Sequence, residues 1–150
     1  MRAILALSAA AMACGPGMAQ RPTAAAGLCP NLKKVVAAAS ATPMWKGVAR
    51  GAAGLTPLGA FTRCSTTAYS GSADYNCDTS GVTAANVDAR YTALVAQVSA
   101  CLATQPTVQV DAISTYTTWT SGPNVTVTAT KVKQAAANNF SLGLGVRNSF

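Results

Sequence analysis

Five cysteines, at positions 14, 29, 64, 77 and 101, constrain this chain more than any other feature. An odd number cannot all pair. Cys14 stands apart in an apolar N-terminal stretch, and the other four suffice for two disulfides. None of the short paired spacings that hold zinc, such as C-x2-C, is present. Structural disulfides persist in oxidising compartments, so the cysteines bear on location as well as on fold.

The N-terminus supports export from a bacterial cytoplasm. Arg2 supplies a positive start, residues 3–13 form an apolar run, and Gly15, Pro16 and Gly17 interrupt it. Gly17-Met18-Ala19 places small residues at −3 and −1 of a cut before Gln20, so residues 1–19 read as a signal peptide. The run falls well short of the roughly 20 apolar residues that a spanning helix needs. Ala11-Met12-Ala13-Cys14 resembles the lipobox of bacterial lipoproteins, which makes Cys14 a candidate lipidation site. Residues 20–28, rich in Pro, Ala and Gly, read as a flexible lead-in, and residues 29–150 as a single domain.

Within that domain the periodicity alternates between helix and strand. Leu32, Val35, Val36 and Ala39 recur at helical spacing after Cys29-Pro30, and residues 40–43 end that helix. Residues 44–60 are broken by glycines and Pro57 and allow only short turns, although Trp45 is large enough to demand burial. Residues 61–65 and 73–78 read as a hairpin with an exposed polar loop. Val87, Tyr91, Leu94, Val95, Val98 and Leu102 make one apolar stripe on a helix over residues 83–102. Thr83 is placed to cap it, Pro106 lies past its end, and Asp88, Gln97 and Ser99 fall on other sides.

The last third has period two. Ile113, Thr115, Thr117 and Trp119 share one phase, then Val125, Val127 and Ala129, then Phe140, Leu142, Leu144 and Val146. Ser121-Gly122-Pro123-Asn124 makes the first turn between them. A three-strand meander with one apolar face must be covered, and the two helices are the available cover. The fold class predicted is α+β: two helices packed on an antiparallel sheet, in the order α-β-β-α-β-β-β, stabilised by disulfides. Cys64 and Cys77 lie on strands that should pair, and Cys29 opens the first helix while Cys101 nearly ends the second. Of three connectivities, Cys29–Cys101 with Cys64–Cys77 is the one predicted.

Catalytic chemistry has little to work with. The chain has no His, and its four acidic residues are all Asp: Asp74, Asp78, Asp88 and Asp111. Asp74 and Asp78 flank Cys77 and are expected to solvate a hairpin end. A serine nucleophile would have only Lys as a base, and no G-x-S-x-G turn occurs. No catalytic, cofactor-binding or metal-binding residue is assigned, and the protein is not expected to be an enzyme. The formal net charge of +7 is scattered along the chain, without the basic stripe and interleaved aromatics of a nucleic-acid binder.

Two segments carry resemblances. Ser70-Gly71-Ser72-Ala73-Asp74-Tyr75 and Thr118-Trp119-Thr120-Ser121-Gly122 resemble motifs of the C-type lysozyme inhibitor family of periplasmic proteins, which implies a compact β-barrel. Ser121 stands where that family carries a lysine. Phe140-x-Leu142-x-Leu144-x-Val146, with Phe150 at the end, is similar to the closing strand of outer-membrane barrels, with Asn148 at a usually apolar position. The functional expectation is a small, non-enzymatic accessory or binding protein, periplasmic or secreted, whose partner is a protein or an envelope component. The alternative is a membrane-associated envelope protein, lipid-anchored through Cys14 or barrel-like at its C-terminus. Tyr69, beside Ser70 and Gly71, is the candidate contact residue.

Overall fold

Leu28, Leu32, Val35, Ala38 and Ala39 are the buried residues of the first helix, α1 (Leu28–Ala39), in a computed structural model that describes residues 27–48, 55–61, 63–135 and 138–150. Segment 1–19, Cys14 and the lead-in up to residue 26 lie outside the described residues. α1 starts one residue before Cys29, so Leu28 joins the core rather than the lead-in. The carbonyls at its C-terminus find partners beyond the helix. Trp45 N–H donates to Ala38 O at 2.8 Å, and Asn148 Nδ2 donates to Ala39 O at 2.8 Å. Trp45 is buried, as its size demands, with its ring 5.6 Å from that of Tyr75.

The other elements are β1 (Arg63–Tyr69), β2 (Ser72–Thr83), α2 (Ala84–Leu102), β3 (Thr107–Val110), β4 (Ser114–Thr120), β5 (Val125–Lys133) and β6 (Asn139–Ser149). The strands form one six-stranded antiparallel sheet in the order β1-β2-β6-β5-β4-β3. The predicted architecture of two helices on an antiparallel sheet is therefore the observed one, with β3 as an added strand. β3 is only four residues long and fully exposed, too short for a period to show. β2 runs on to residue 83 by absorbing a register shift between Thr79 and Val82, with Gly81 at φ 75°.

Both helices cover one face. Two cross-strand rows form its centre: Tyr75, Val146, Val127 and Trp119 in one, and Cys77, Leu144, Ala129 and Thr117 in the next. Val87, Tyr91, Leu94, Val98 and Cys101 of α2 bury against the sheet, so its stripe is core as the spacing required. Three polar links fix α2 in place. Trp119 Nε1 donates to Ser99 Oγ at 3.1 Å, Tyr91 OH lies 2.8 Å from Thr117 Oγ1, and Lys131 Nζ donates to Asp88 Oδ1 at 2.7 Å.

Several local expectations change in three dimensions. Ser99 does not point away from the core but receives the Trp119 indole, because a buried indole N–H needs an acceptor. Thr83 is the N-cap residue of α2, yet its hydroxyl accepts from Asn86 Nδ2 rather than from the backbone. Ile113 leaves the apolar phase and is exposed, since β4 starts only at Ser114. Asp74 is buried between strands instead of solvating a hairpin end. Neither resemblance predicts the architecture. The sheet is open and helix-covered rather than a compact barrel. β6 is a central strand whose apolar side chains lie under the helices while Gly143, Gly145 and Arg147 occupy its other side.

The two predicted disulfides are present. Cys29–Cys101 joins the first turn of α1 to the last turn of α2, and Cys64–Cys77 links directly opposed residues of β1 and β2. Two such bonds fit a protein folded outside a reducing cytoplasm. Among the described residues, no helix is long and apolar enough to cross a membrane.

Candidate functional site

Strand alternation puts the polar phase of each strand on the face that the helices leave free. Register aligns that phase into rows. One row reads Thr67, Asp74, Arg147, Thr126 and Thr120 across β1, β2, β6, β5 and β4. The next reads Ser65, Asn76, Gly145, Thr128 and Thr118, and the third Arg63, Asp78, Gly143, Thr130 and Tyr116. The result is a sheet surface of hydroxyls, one amide, two carboxylates and two guanidiniums.

A depression of about 530 Å³ lies in this face, lined by Asp74, Asn76, Asp78, Tyr116, Thr128 and Arg147, among others. Gly143 and Gly145 form its floor. A Cβ at Gly143 would come within 2.7 Å of Thr130 Oγ1, and one at Gly145 would collide with Asn76 Oδ1. The two glycines therefore let the side chains of Thr130 and Asn76 fold over the β6 backbone, which puts their polar ends at the floor of the depression.

The charges in this face are arranged in pairs. Arg147 donates to Asp74 through Nε at 2.6 Å and Nη2 at 2.9 Å, a bidentate fork between adjacent strands. Arg63 makes the same fork to Asp78. Each guanidinium is held above its usual range, by the hydrogen bond to its carboxylate first and by Coulomb attraction second. In a chain of formal charge +7, these two pairs leave the depression charge-compensated.

All four aspartates accept hydrogen bonds. Besides Asp74 and Asp78, Asp88 binds Lys131, and Asp111 Oδ1 accepts the N–H groups of Ile113 and Ser114 in the β3–β4 turn. Among the described residues, no group of three or more His, Cys, Asp or Glu could hold a metal ion. The chemistry on offer in the depression is hydrogen bonding in both directions and contact with an aromatic ring.

Tyr69, the contact residue chosen from sequence, ends β1 opposite Ser72 and is exposed. It belongs to the same helix-free face as Arg147. Phe150 is exposed at the same end of the sheet, where its N–H donates to Gly71 O at 2.9 Å. Tyr116 lies four strands away from Tyr69 and in the row of Arg63, six residues along β1, roughly 28 Å in all. Sequence reasoning missed Tyr116, Asn76, Arg147 and the glycine floor. Their only signal was the strict polar alternation of Thr126, Thr128 and Thr130 and of Gly143 and Gly145, which reads equally well as a solvated outer surface. A smaller apolar groove of about 250 Å³ lies between α2 and residues 58–61, with Arg90 and Gln97 among its lining residues. No protein-family model, curated protein or solved structure matches the chain.

Proposed function

We propose that this is an exported, non-enzymatic binding protein of a bacterial envelope, periplasmic or secreted, whose helix-free sheet face recognises a neutral, hydroxyl-rich ligand such as a glycan strand. The observation that carries this reading is the charge-compensated depression over Gly143 and Gly145. A face whose carboxylates and guanidiniums neutralise one another offers no net attraction for phosphates or other anions. It does offer closely spaced donors and acceptors, held by strand register, to a ligand built of hydroxyls. Tyr116 and Tyr69 supply apolar ring surface with a polar tip. The lack of histidine and glutamate anywhere in the chain supports binding without turnover, because these are the side chains most often used as general bases. Pairing of the other four cysteines leaves Cys14 for removal with the signal or for lipidation.

The test is an NMR titration with neutral oligosaccharides, followed by the same titration with an anionic one. Amide shifts should gather at Asn76, Thr128, Gly143 and Gly145 for the neutral series. Tyr116→Ala and Gly145→Val should each weaken binding roughly tenfold or more with the fold retained. Tyr69→Ala should weaken it more than Thr67→Ala, at similar melting temperatures. Shifts confined to the α2 groove would refute the site. A turnover lost in a folded Asp74→Asn variant would refute the non-enzymatic reading. Export is checked separately by fractionation with and without globomycin, under which only a precursor lipidated at Cys14 accumulates.

A further inference from the structure

β3 closes the sheet at the end opposite β1, and all four of its residues are exposed. Asp111 N–H donates to Ser114 O, one rung beyond the β3–β4 pairs. Alternation of the ladder then turns the N–H and C=O of Thr107 and Gln109 toward β4, and those of Val108 and Val110 outward. Free backbone groups of that kind are a template on which another strand can pair.

The side chains agree with the backbone. Val108 and Val110 pair with Thr117 and Thr115 and so point to the helix side, yet they stand clear of the helices at 60% and 73% exposure. Ile113, in the connection to β4, is 59% exposed. Proteins usually guard such an edge with a lysine, a proline or a bulge, and Thr107-Val108-Gln109-Val110 has none of these. The opposite edge differs. β1 begins with Arg63 and offers only Thr66 and Ala68 at the helix-side positions beyond its disulfide.

We propose that β3 is a self-association edge and that its occupant is a second copy of this chain, paired antiparallel about a twofold axis through Gln109. That register sets Val108 of one copy against Val110 of the other. It matches faces, since antiparallel partners must share a face, and it uses all four outward N–H and C=O groups of each copy. The paired valines line up on the helix side. Because β3 carries no charge, two chains of formal charge +7 can meet there without opposing like charges. The pairing also joins the two helix-free faces into one surface of twice the width. With four residues on each side the interface is small, below about 1,200 Å², so the association is weak and is expected in the range of roughly 10–100 µM.

The experiment is sedimentation velocity on the mature protein from about 5 µM to about 1 mM, a span that brackets the expected dissociation constant. A monomer–dimer transition should appear, and Val110→Lys, at a site exposed in the monomer, should raise the dissociation constant at least roughly tenfold without lowering the melting temperature. Gln109→Cys should yield an intermolecular disulfide in a glutathione buffer, because the two positions face each other across the axis, whereas Thr92→Cys on exposed α2 should not. A monomer throughout would overturn the proposal, as would a dimer indifferent to Val110→Lys. A monomer that instead captures an extended foreign peptide along β3 would assign the edge to a different partner and overturn it too.

Discussion

Removing the hydroxyl of Tyr91 tests how α2 is fastened to the sheet. Its oxygen lies 2.8 Å from Thr117 Oγ1, with the carbonyls of Thr115 and Ala129 each at 3.4 Å. Thr117 is almost fully buried on β4, and this is its side chain's hydrogen bond. Tyr91→Phe deletes a bond worth about 1 kcal/mol net and strands a buried hydroxyl, which adds roughly another 1 kcal/mol or more. A total near 2 kcal/mol corresponds to a fall in melting temperature of about 8 °C for a domain of this size. Thr117→Val should cost less, about 1 kcal/mol, because the tyrosine hydroxyl retains two carbonyl neighbours. The double variant loses that bond once and strands no hydroxyl, so it should cost about 1 kcal/mol, roughly 2 kcal/mol less than the sum of the singles. Urea unfolding followed by the fluorescence of Trp45 and Trp119 gives all three values. Additivity within about 0.3 kcal/mol would refute the argument, since it would mean that the two hydroxyls do not depend on each other.

Other expectations follow from single features. Ala103 ends α2 with φ 54°, a left-handed conformation that favours glycine, so Ala103→Gly should raise stability by up to about 1 kcal/mol in the same urea assay. Deleting Cys29–Cys101, which closes a separation of 72 residues, should cost up to about 4 kcal/mol, against about 3 for Cys64–Cys77 with a separation of 13, as measured by paired Cys→Ala variants. Burial pushes the phenols of Tyr75 and Tyr91 above their ordinary range. The unfolded chain therefore loses those protons first, and stability should fall as pH rises past about 10 while holding level below about 9. With no histidine there should be no imidazole step near neutrality, and Tyr91→Phe should flatten part of the alkaline fall. Urea midpoints from pH 6 to 11 check both statements.

Local periodicity determined much of this protein. Val87, Tyr91, Leu94 and Val98 defined α2, and Val125, Val127 and Ala129 defined the inner phase of β5, because such stripes depend only on neighbours along the chain. The disulfide pairing was legible for a related reason. A hairpin brings Cys64 opposite Cys77, and two helix ends remain for Cys29 and Cys101. Alternation, however, says which phase of a strand is apolar and not which strand lies beside it. Only tertiary structure decided that β2 pairs with β6, which sets Asp74 against Arg147, 73 residues away, and brings Asn76 over Gly145. The same pairing placed the polar Asn148 under α1, where a position that looked wrong for a strand completes the helix end. Apart from Tyr69, the candidate site belongs to that second category. Its residues are ordinary polar strand positions taken one at a time, and they become a depression only where register stacks them over two glycines.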